Sequence, residues 1–140
     1  MKRICAFSLM LCLLFTCCGT ALAADAGTCS NPTLSTYAAQ LAKGSSKGKV
    51  IIKYTIIASK IASSIGVSSI KIYKSDGTYV TTISGTTSNG LVLKNTSTHT
   101  GTYTYSGVSG TSYYAHVTVF ATAGGVTSSG TVKTNTVTAP

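Results

Sequence analysis

The chain of 140 residues contains no tryptophan and no glutamate, and its acidic residues are the two aspartates Asp25 and Asp76. Glycosidase-type catalysis needs two carboxyl groups that flank the bond to be cleaved. Asp25 lies near the N-terminus, whereas Asp76 precedes Gly77 in a predicted tight turn. We therefore expect no catalysis by paired carboxylates.

Residues for nucleophilic or metal-assisted chemistry are also scarce. No serine stands in a G-x-S-x-G motif, although a triad could in principle combine Asp76, a serine and either His99 or His116. We expect both histidines at the surface, His99 in a loop and His116 on the polar side of a strand. Together with Cys29 they lack the spacing of metal ligands. The sequence thus predicts no catalytic residue, no metal and no cofactor.

Arginine occurs once, at position 3, so lysine carries almost all of the positive charge. Lysine is a hydrated point charge without the planar fork that binds phosphate or guanine in a bidentate manner. General attraction to polyanions is expected, but sequence-specific recognition of nucleic acid is not. The densest group of lysines surrounds the segment GSSKG and is our candidate polyanion contact: Lys43, Lys47, Lys49 and Lys53. The alternative is a merely solvated turn.

Four of the five cysteines lie in an N-terminal segment that is typical of a secretory signal peptide. Lys2 and Arg3 precede an apolar run over 4–15, and Ala21-Leu22-Ala23 is an A-x-A cleavage site. The run is shorter than the roughly 20 residues of a membrane-spanning helix. We predict that residues 1–23 are removed and that the protein is secreted, with retention at the cell surface as a variant. Lipidation at Cys17 or Cys18 is the alternative.

The mature chain would keep nine lysines and two aspartates, a net charge of +7, and would contain one cysteine, Cys29. It could form no internal disulfide, so the domain must be held together by packing. Cys29 would be a free thiol or would pair between molecules. We predict no further membrane segment, a flexible mature N-terminus over 24–33 and one domain over 34–138.

Alternation of apolar and polar residues predicts an all-β domain. In KVIIKYTIIAS the residues from Val50 to Ala58 alternate, and in SYYAHVTVFA those from Tyr113 to Ala121 alternate. Asp76-Gly77 separates Ile70 and Ile72 from the strand 79–83, which predicts a hairpin. Further short strands are predicted around Leu91 and Leu93, around Tyr103 and Tyr105, and from Val126 to Val132.

The segment NPTLSTYAAQLAKG is ambiguous. Asn31 and Pro32 could begin a helix that Gly44 ends, with an apolar face at helical spacing. Alternatively, residues 33–43 form a first strand that turns through GSSKG into the next. We favour the strand, because the strand from Val50 needs a partner.

The stretch GTSYYAHVTVFA resembles the penultimate strand of immunoglobulin-like and fibronectin type III domains. The resemblance implies a sandwich of about seven antiparallel strands in which the Tyr113 hydroxyl bonds to the backbone of the incoming loop. With GKVIIKYTI and IGVSSIKIYKSDGTYV, the chain also resembles a family of small secreted proteins of Gram-positive bacteria whose function is unknown. That family implies no catalytic residues.

These features favour a non-enzymatic extracellular or cell-surface binding module. Its partner is not specified, but weak association with an anionic cell-wall polymer or a membrane surface is expected from the charge. A secreted toxin or antimicrobial factor, and an enzyme with an unrecognised site, are the alternative hypotheses.

Overall fold

The computed structural model describes Gly27–Thr28 and residues 33–140. The predicted signal peptide, Asp25 and Cys29 lie outside the described residues. In the described part all regular structure is β-strand, as predicted. The strands are β1 (Gly27–Thr28), β2 (Leu34–Lys43), β3 (Lys49–Ala62), β4 (Ser64–Lys74), β5 (Tyr79–Ser84), β6 (Val92–Leu93), β7 (Thr96–Ser106), β8 (Ser112–Ala123), β9 (Val126–Lys133) and β10 (Val137–Thr138).

The strands form two antiparallel sheets that face each other across one core. The four-stranded sheet has the order β1-β2-β3-β7. In the six-stranded sheet β8 pairs with β4, β9 and β10, and β4 also pairs with β5 and β6. Because β1, β6 and β10 have two residues each, the sandwich-like body consists of seven longer strands.

The predicted alternation is confirmed in the two central strands. Side chains of β3 from Val50 to Ala58 and of β8 from Tyr113 to Ala121 are buried at every second position. Ile70 and Ile72 on β4 are buried as expected. Since successive side chains of a strand point to opposite sides, the remaining positions of these strands form the outer faces of the two sheets.

Residues 34–43 form strand β2, so the helical alternative is wrong. Tyr37, Ala39 and Leu41 are buried at a spacing of two, and β2 pairs with β3 from Lys43↔Val50 to Leu34↔Ala58. A bulge between Leu34 and Thr36 shifts this alternation by one residue. The shift explains why the apolar positions also fit a helical spacing.

The Asp76-Gly77 hairpin is present, but its loop has three residues. The Gly77 N–H donates to the Lys74 carbonyl, and the Lys74 N–H donates to the Thr78 carbonyl, both at 2.9 Å. Only Gly77 adopts a positive φ, of 90°. Asp76 instead accepts a hydrogen bond from the Thr78 N–H at 2.8 Å. Its role is therefore to bond the turn with its carboxylate, not to adopt a left-handed conformation.

Side-chain burial is less regular near β6 and β9. Leu91 and Val92 are the buried residues near β6, whereas Leu93 is 43% exposed. Val126 and Val132 lie on one side of β9, and Val126 is 50% exposed at the start of the strand. Thr134, directly after β9, is buried; its Oγ1 accepts from the Ala115 N–H and donates to the Asn135 carbonyl.

Asn135 lies in the link between β9 and β10 and joins the two sheets. Its Oδ1 accepts from the Leu41 N–H at 2.8 Å, and its Nδ2 donates to the Leu41 carbonyl at 3.0 Å. Both backbone groups of an edge-strand residue are thus satisfied by one side-chain amide.

Inward tyrosines fill the core opposite glycines. A Cβ on Gly101 would lie 2.9 Å from Cζ of Tyr54, its direct cross-strand partner. A Cβ on Gly107 would lie 2.7 Å from the Tyr113 ring, and one on Gly130 would overlap Tyr37. These contacts are closer than side-chain atoms tolerate, so each ring occupies space that only glycine leaves free.

The bond expected of Tyr113 is present. Its side chain is buried, and its hydroxyl oxygen accepts a hydrogen bond from the Val108 N–H at 2.9 Å. Tyr105 packs edge-on against the Tyr113 ring with centroids 5.6 Å apart. The tyrosine thereby fixes the loop that leads from β7 into β8.

Tyr113→Phe should lower the free energy of unfolding by about 1 kcal/mol or more, because the Val108 N–H loses its acceptor. Tyr114→Phe, on the outer side of the same strand, is the matched control and should have a much smaller effect. Urea denaturation measures both. Equal losses would contradict the role of the Tyr113 hydroxyl.

Gly101→Ala should destabilise the domain by about 1–3 kcal/mol through overpacking against Tyr54, although alanine is normally preferred to glycine in a strand. Tyr54→Leu should remove most of this effect. A double-mutant cycle by urea denaturation measures the coupling between the two sites. Additive losses would show that the ring does not restrict residue 101.

Candidate functional site

The four lysines of the predicted polyanion contact do not lie on one side of the sheet. Lys49 and Lys53 lie on the outer side of β3, and Lys49 donates to the Ser106 hydroxyl. Lys43 is paired with Val50, which points inward, and paired residues share a side of the sheet. Lys43 therefore lies on the inner side, at the end of the sheet. Lys47 lies in the intervening turn. The structure brings only Lys49 and Lys53 onto a common face.

His99 is not a surface residue, which corrects the prediction. It lies on the inward side of β7 and is 4% exposed. Its Nε2 lies 3.3 Å from the Tyr54 hydroxyl, and the two rings meet edge to face with centroids 5.1 Å apart. Nδ1 is buried and has no hydrogen-bond partner among the described residues. In the sequence THTGTYTY, His99 precedes Gly101 and Tyr103 at a spacing of two, so all three lie on the inward side of β7.

Burial determines the ionisation of this pair. It lowers the pKa of His99, an effect that the carbonyls of Gly90 and Ile65 partly oppose. Burial also raises the pKa of the Tyr54 hydroxyl. His99 is therefore stabilised in its neutral form, which is suited to a packed interior.

The described residues offer little for catalysis or metal binding. Asp76 is exposed, and hydrogen bonds from Thr78, from its side chain first and then its backbone, lower the pKa of the carboxyl. Within Gly27–Thr28 and 33–140, no three histidine, cysteine or acidic residues come together as a metal site.

The outer face of the six-stranded sheet carries a cluster that sequence reasoning missed. We call it the tyrosine face. The side chains meet there because their strands pair in register: Tyr73 is opposite both Tyr79 and Tyr114, and His116 is opposite both Lys71 and Lys133. Its six members are Lys71, Tyr73, Tyr79, Tyr114, His116 and Lys133.

Ring contacts hold the tyrosine face together. Tyr73 and Tyr114 stack with centroids 5.3 Å apart and planes 11° apart. The Tyr79 ring meets Tyr73 at 70°, with a centroid distance of 5.7 Å. His116 lies 5.1 Å from the Tyr73 centroid and 5.7 Å from that of Tyr114. The Lys133 ammonium lies 4.8 Å from the Tyr114 centroid, a cation–π distance.

Hydroxyl groups continue the face beyond the basic row of Lys71, His116 and Lys133. Ser69 is opposite Ser84 on one side and Thr118 on the other, and Thr118 is opposite Thr131. The hydroxyls of Thr118 and Thr131 are 3.0 Å apart. The face thus presents three adjacent rows: the rings, the basic side chains Lys71, His116 and Lys133, and the hydroxyls.

The sequence did contain a signal for this cluster. His116 was expected on the polar side of its strand, which is confirmed, and Tyr114 lies on the same side two residues earlier. The sequence did not indicate the strand register that puts Tyr73 and Tyr79 beside Tyr114 and His116. The bulge between Ile72 and Tyr73 turns Tyr79 to the same side as Tyr73, and no local pattern predicts it.

Comparisons with known proteins provide no relative. No family model, curated protein or solved structure matches the chain. The two resemblances inferred from the sequence therefore remain predictions. Among the described residues, no helix of sufficient length and apolarity to cross a membrane is present.

Stability should fall as pH decreases from about 7.5 to 5. The unfolded chain binds a proton to His99 near its ordinary pKa of about 6.5, whereas the folded chain binds it only at lower pH. The stabilisation is therefore complete above that pKa and is lost below it. His99→Phe, which keeps the ring packing, should flatten this dependence in urea denaturation at a series of pH values.

His116→Gln is the control, because it leaves the buried His99 in place and should retain the dependence. The lowered pKa of Asp76 affects stability only below about pH 4, because the ordinary pKa of the carboxyl group is 3.8. The titration of Asp76 therefore lies outside the range from pH 7.5 to 5. An unchanged slope in His99→Phe would contradict the assignment.

Proposed function

We propose that this chain is a secreted, non-enzymatic binding module with an immunoglobulin/fibronectin type III-like sandwich, and that it binds its partner through the tyrosine face. The N-terminal basic residues, apolar run and A-x-A site support secretion. The chain crosses between the sheets after β3, after β6 and after β7. Such Greek-key connections support an immunoglobulin-like arrangement.

The concentration of aromatic side chains on one outer face carries the proposal. Five of the eight tyrosines point inward and fill or border the core, and the other three lie on the tyrosine face. The outer positions of β7 are threonine and serine. Tyrosine is a frequent contributor to binding energy, because it offers a large rigid surface and a polar tip.

The face is also organised before any partner arrives. Ring stacking and the Lys133 contact restrict the side chains, so their ordering would cost less free energy on binding. Two central strands, β4 and β8, provide the rigid support for Tyr73, Tyr114 and His116.

The triple variant Tyr73→Ser/Tyr79→Ser/Tyr114→Ser should weaken binding at least tenfold, about 1.4 kcal/mol. Binding is measured by co-sedimentation or titration against neutral and acidic glycans, peptides and lipid vesicles. The control is Thr100→Ala/Thr102→Ala/Thr104→Ala on the outer side of β7, which should bind as the wild type does.

Two outcomes would overturn this function. One is unchanged affinity in the tyrosine variant, because the contact would then lie elsewhere. The other is turnover of an ester, glycan or peptide substrate that His116→Ala abolishes, because the chain would then be an enzyme.

A further inference from the structure

We infer that the ligand of the tyrosine face is an acidic polysaccharide, recognised by the edges of the rings and by lysine rather than by stacking. The inference rests on the proposed function and specifies the ligand class of the same face. It depends on which groups of the cluster are already occupied and which remain available to a ligand.

The faces of the central rings are occupied within the cluster. Lys133 on β9 and Tyr73 on β4 flank Tyr114 from opposite sides, because β8 lies between those strands. Tyr73 in turn lies between Tyr114 and Tyr79, and the Tyr79 ring meets it in a T-shaped contact. A nucleic-acid base or a neutral sugar that binds by stacking needs an open ring face. The central rings offer none.

The groups that remain available are polar. They are the hydroxyls of Tyr73 and Tyr114, the imidazole of His116 and the ammonium groups of Lys71 and Lys133, whereas the Tyr79 hydroxyl lies 2.9 Å from the Thr82 hydroxyl. Lys71, His116 and Lys133 stand directly opposite one another on three adjacent strands. Neighbouring strands are about 4.8 Å apart, so the two lysines of this basic row stand about 10 Å apart across the sheet. This row can contact more than one anionic group of an extended polymer.

The tyrosine face carries positive charge and has little negative charge near it, so it favours an anionic ligand. The described carboxylate closest along the chain is Asp76, in the turn after β4, and its oxygen is bonded to the Thr78 N–H. Lys74 precedes that turn and contributes to the electrostatic environment of Asp76. The attraction should therefore weaken as salt rises, since exposed charges are screened.

The neighbouring hydroxyl row favours a sugar polymer. The hydroxyl row lies beside the basic row on the same face and consists of Ser69, Ser84, Thr118 and Thr131. A polyuronate carries hydroxyl groups next to its carboxylates and can bond to both rows. Lysine without arginine also provides no bidentate phosphate contacts, which argues against nucleic acid.

The experiment measures binding of polygalacturonate by titration calorimetry across a salt series. The variant Lys71→Gln/Lys133→Gln should bind at least tenfold more weakly at low salt. The control Lys49→Gln/Lys53→Gln removes the same charge from the outer side of β3 and should lose less than about twofold. Equal losses would overturn the inference, because net charge alone would then explain the binding.

A second variant tests recognition by ring edges. Tyr73→Phe/Tyr79→Phe/Tyr114→Phe keeps the rings but removes the hydroxyls, and it should weaken binding severalfold. Unchanged affinity would contradict recognition through the hydroxyls. Tighter binding of poly(dT), of inorganic polyphosphate or of anionic vesicles than of polygalacturonate would assign the face to another class of partner and overturn the inference.

Failure of the ligand class can be separated from failure of the proposed function. If neutral dextran or a peptide binds and the Tyr→Ser triple variant abolishes that binding, the tyrosine face is a binding site and the acidic-polysaccharide inference is wrong. If no probe binds through this face, both are wrong.

Discussion

The packing of tyrosine rings against glycine is the constraint on which this core depends. Without tryptophan, the space between the sheets is filled by isoleucine, valine and inward tyrosines, and the rings of Tyr37, Tyr54 and Tyr113 occupy positions where a neighbouring Cβ would clash. Cross-strand packing of this kind can outweigh the ordinary cost of glycine in a strand. It also gives the buried phenols room to reach partners, as Tyr113 does with the Val108 N–H.

The same strand pleat separates the two uses of tyrosine. On β8, Tyr113 belongs to the core and Tyr114 to the outer cluster, although they are adjacent in sequence. The inner ring stabilises a loop, whereas the outer ring joins a row whose arrangement depends on β4 and β5. A change of register by one residue would exchange these roles, so the fold and the candidate site are specified by one geometric property.

Alternation within single strands was predictable from the sequence, and features that depend on pairing between strands were not. Val50 to Ala58 and Tyr113 to Ala121 were assigned to the correct side because their pattern is local. His99 was misplaced because one polar residue among threonines looks solvent-exposed until its partner Tyr54 is known. The tyrosine face required the register of β4 with β5 and β8, including a bulge that no composition indicates.

The bonds from Asn135 to Leu41 have a consequence for association between molecules. An edge strand with free N–H and C=O groups can extend its sheet by pairing with another chain. At Leu41 the amide of Asn135 occupies both groups, and β1 pairs with the edge of β2 near Tyr37. On that side, an incoming strand would have to displace contacts already made within the molecule. The side chain of one residue thus takes the place of a neighbouring strand at Leu41 and protects this edge of the sheet.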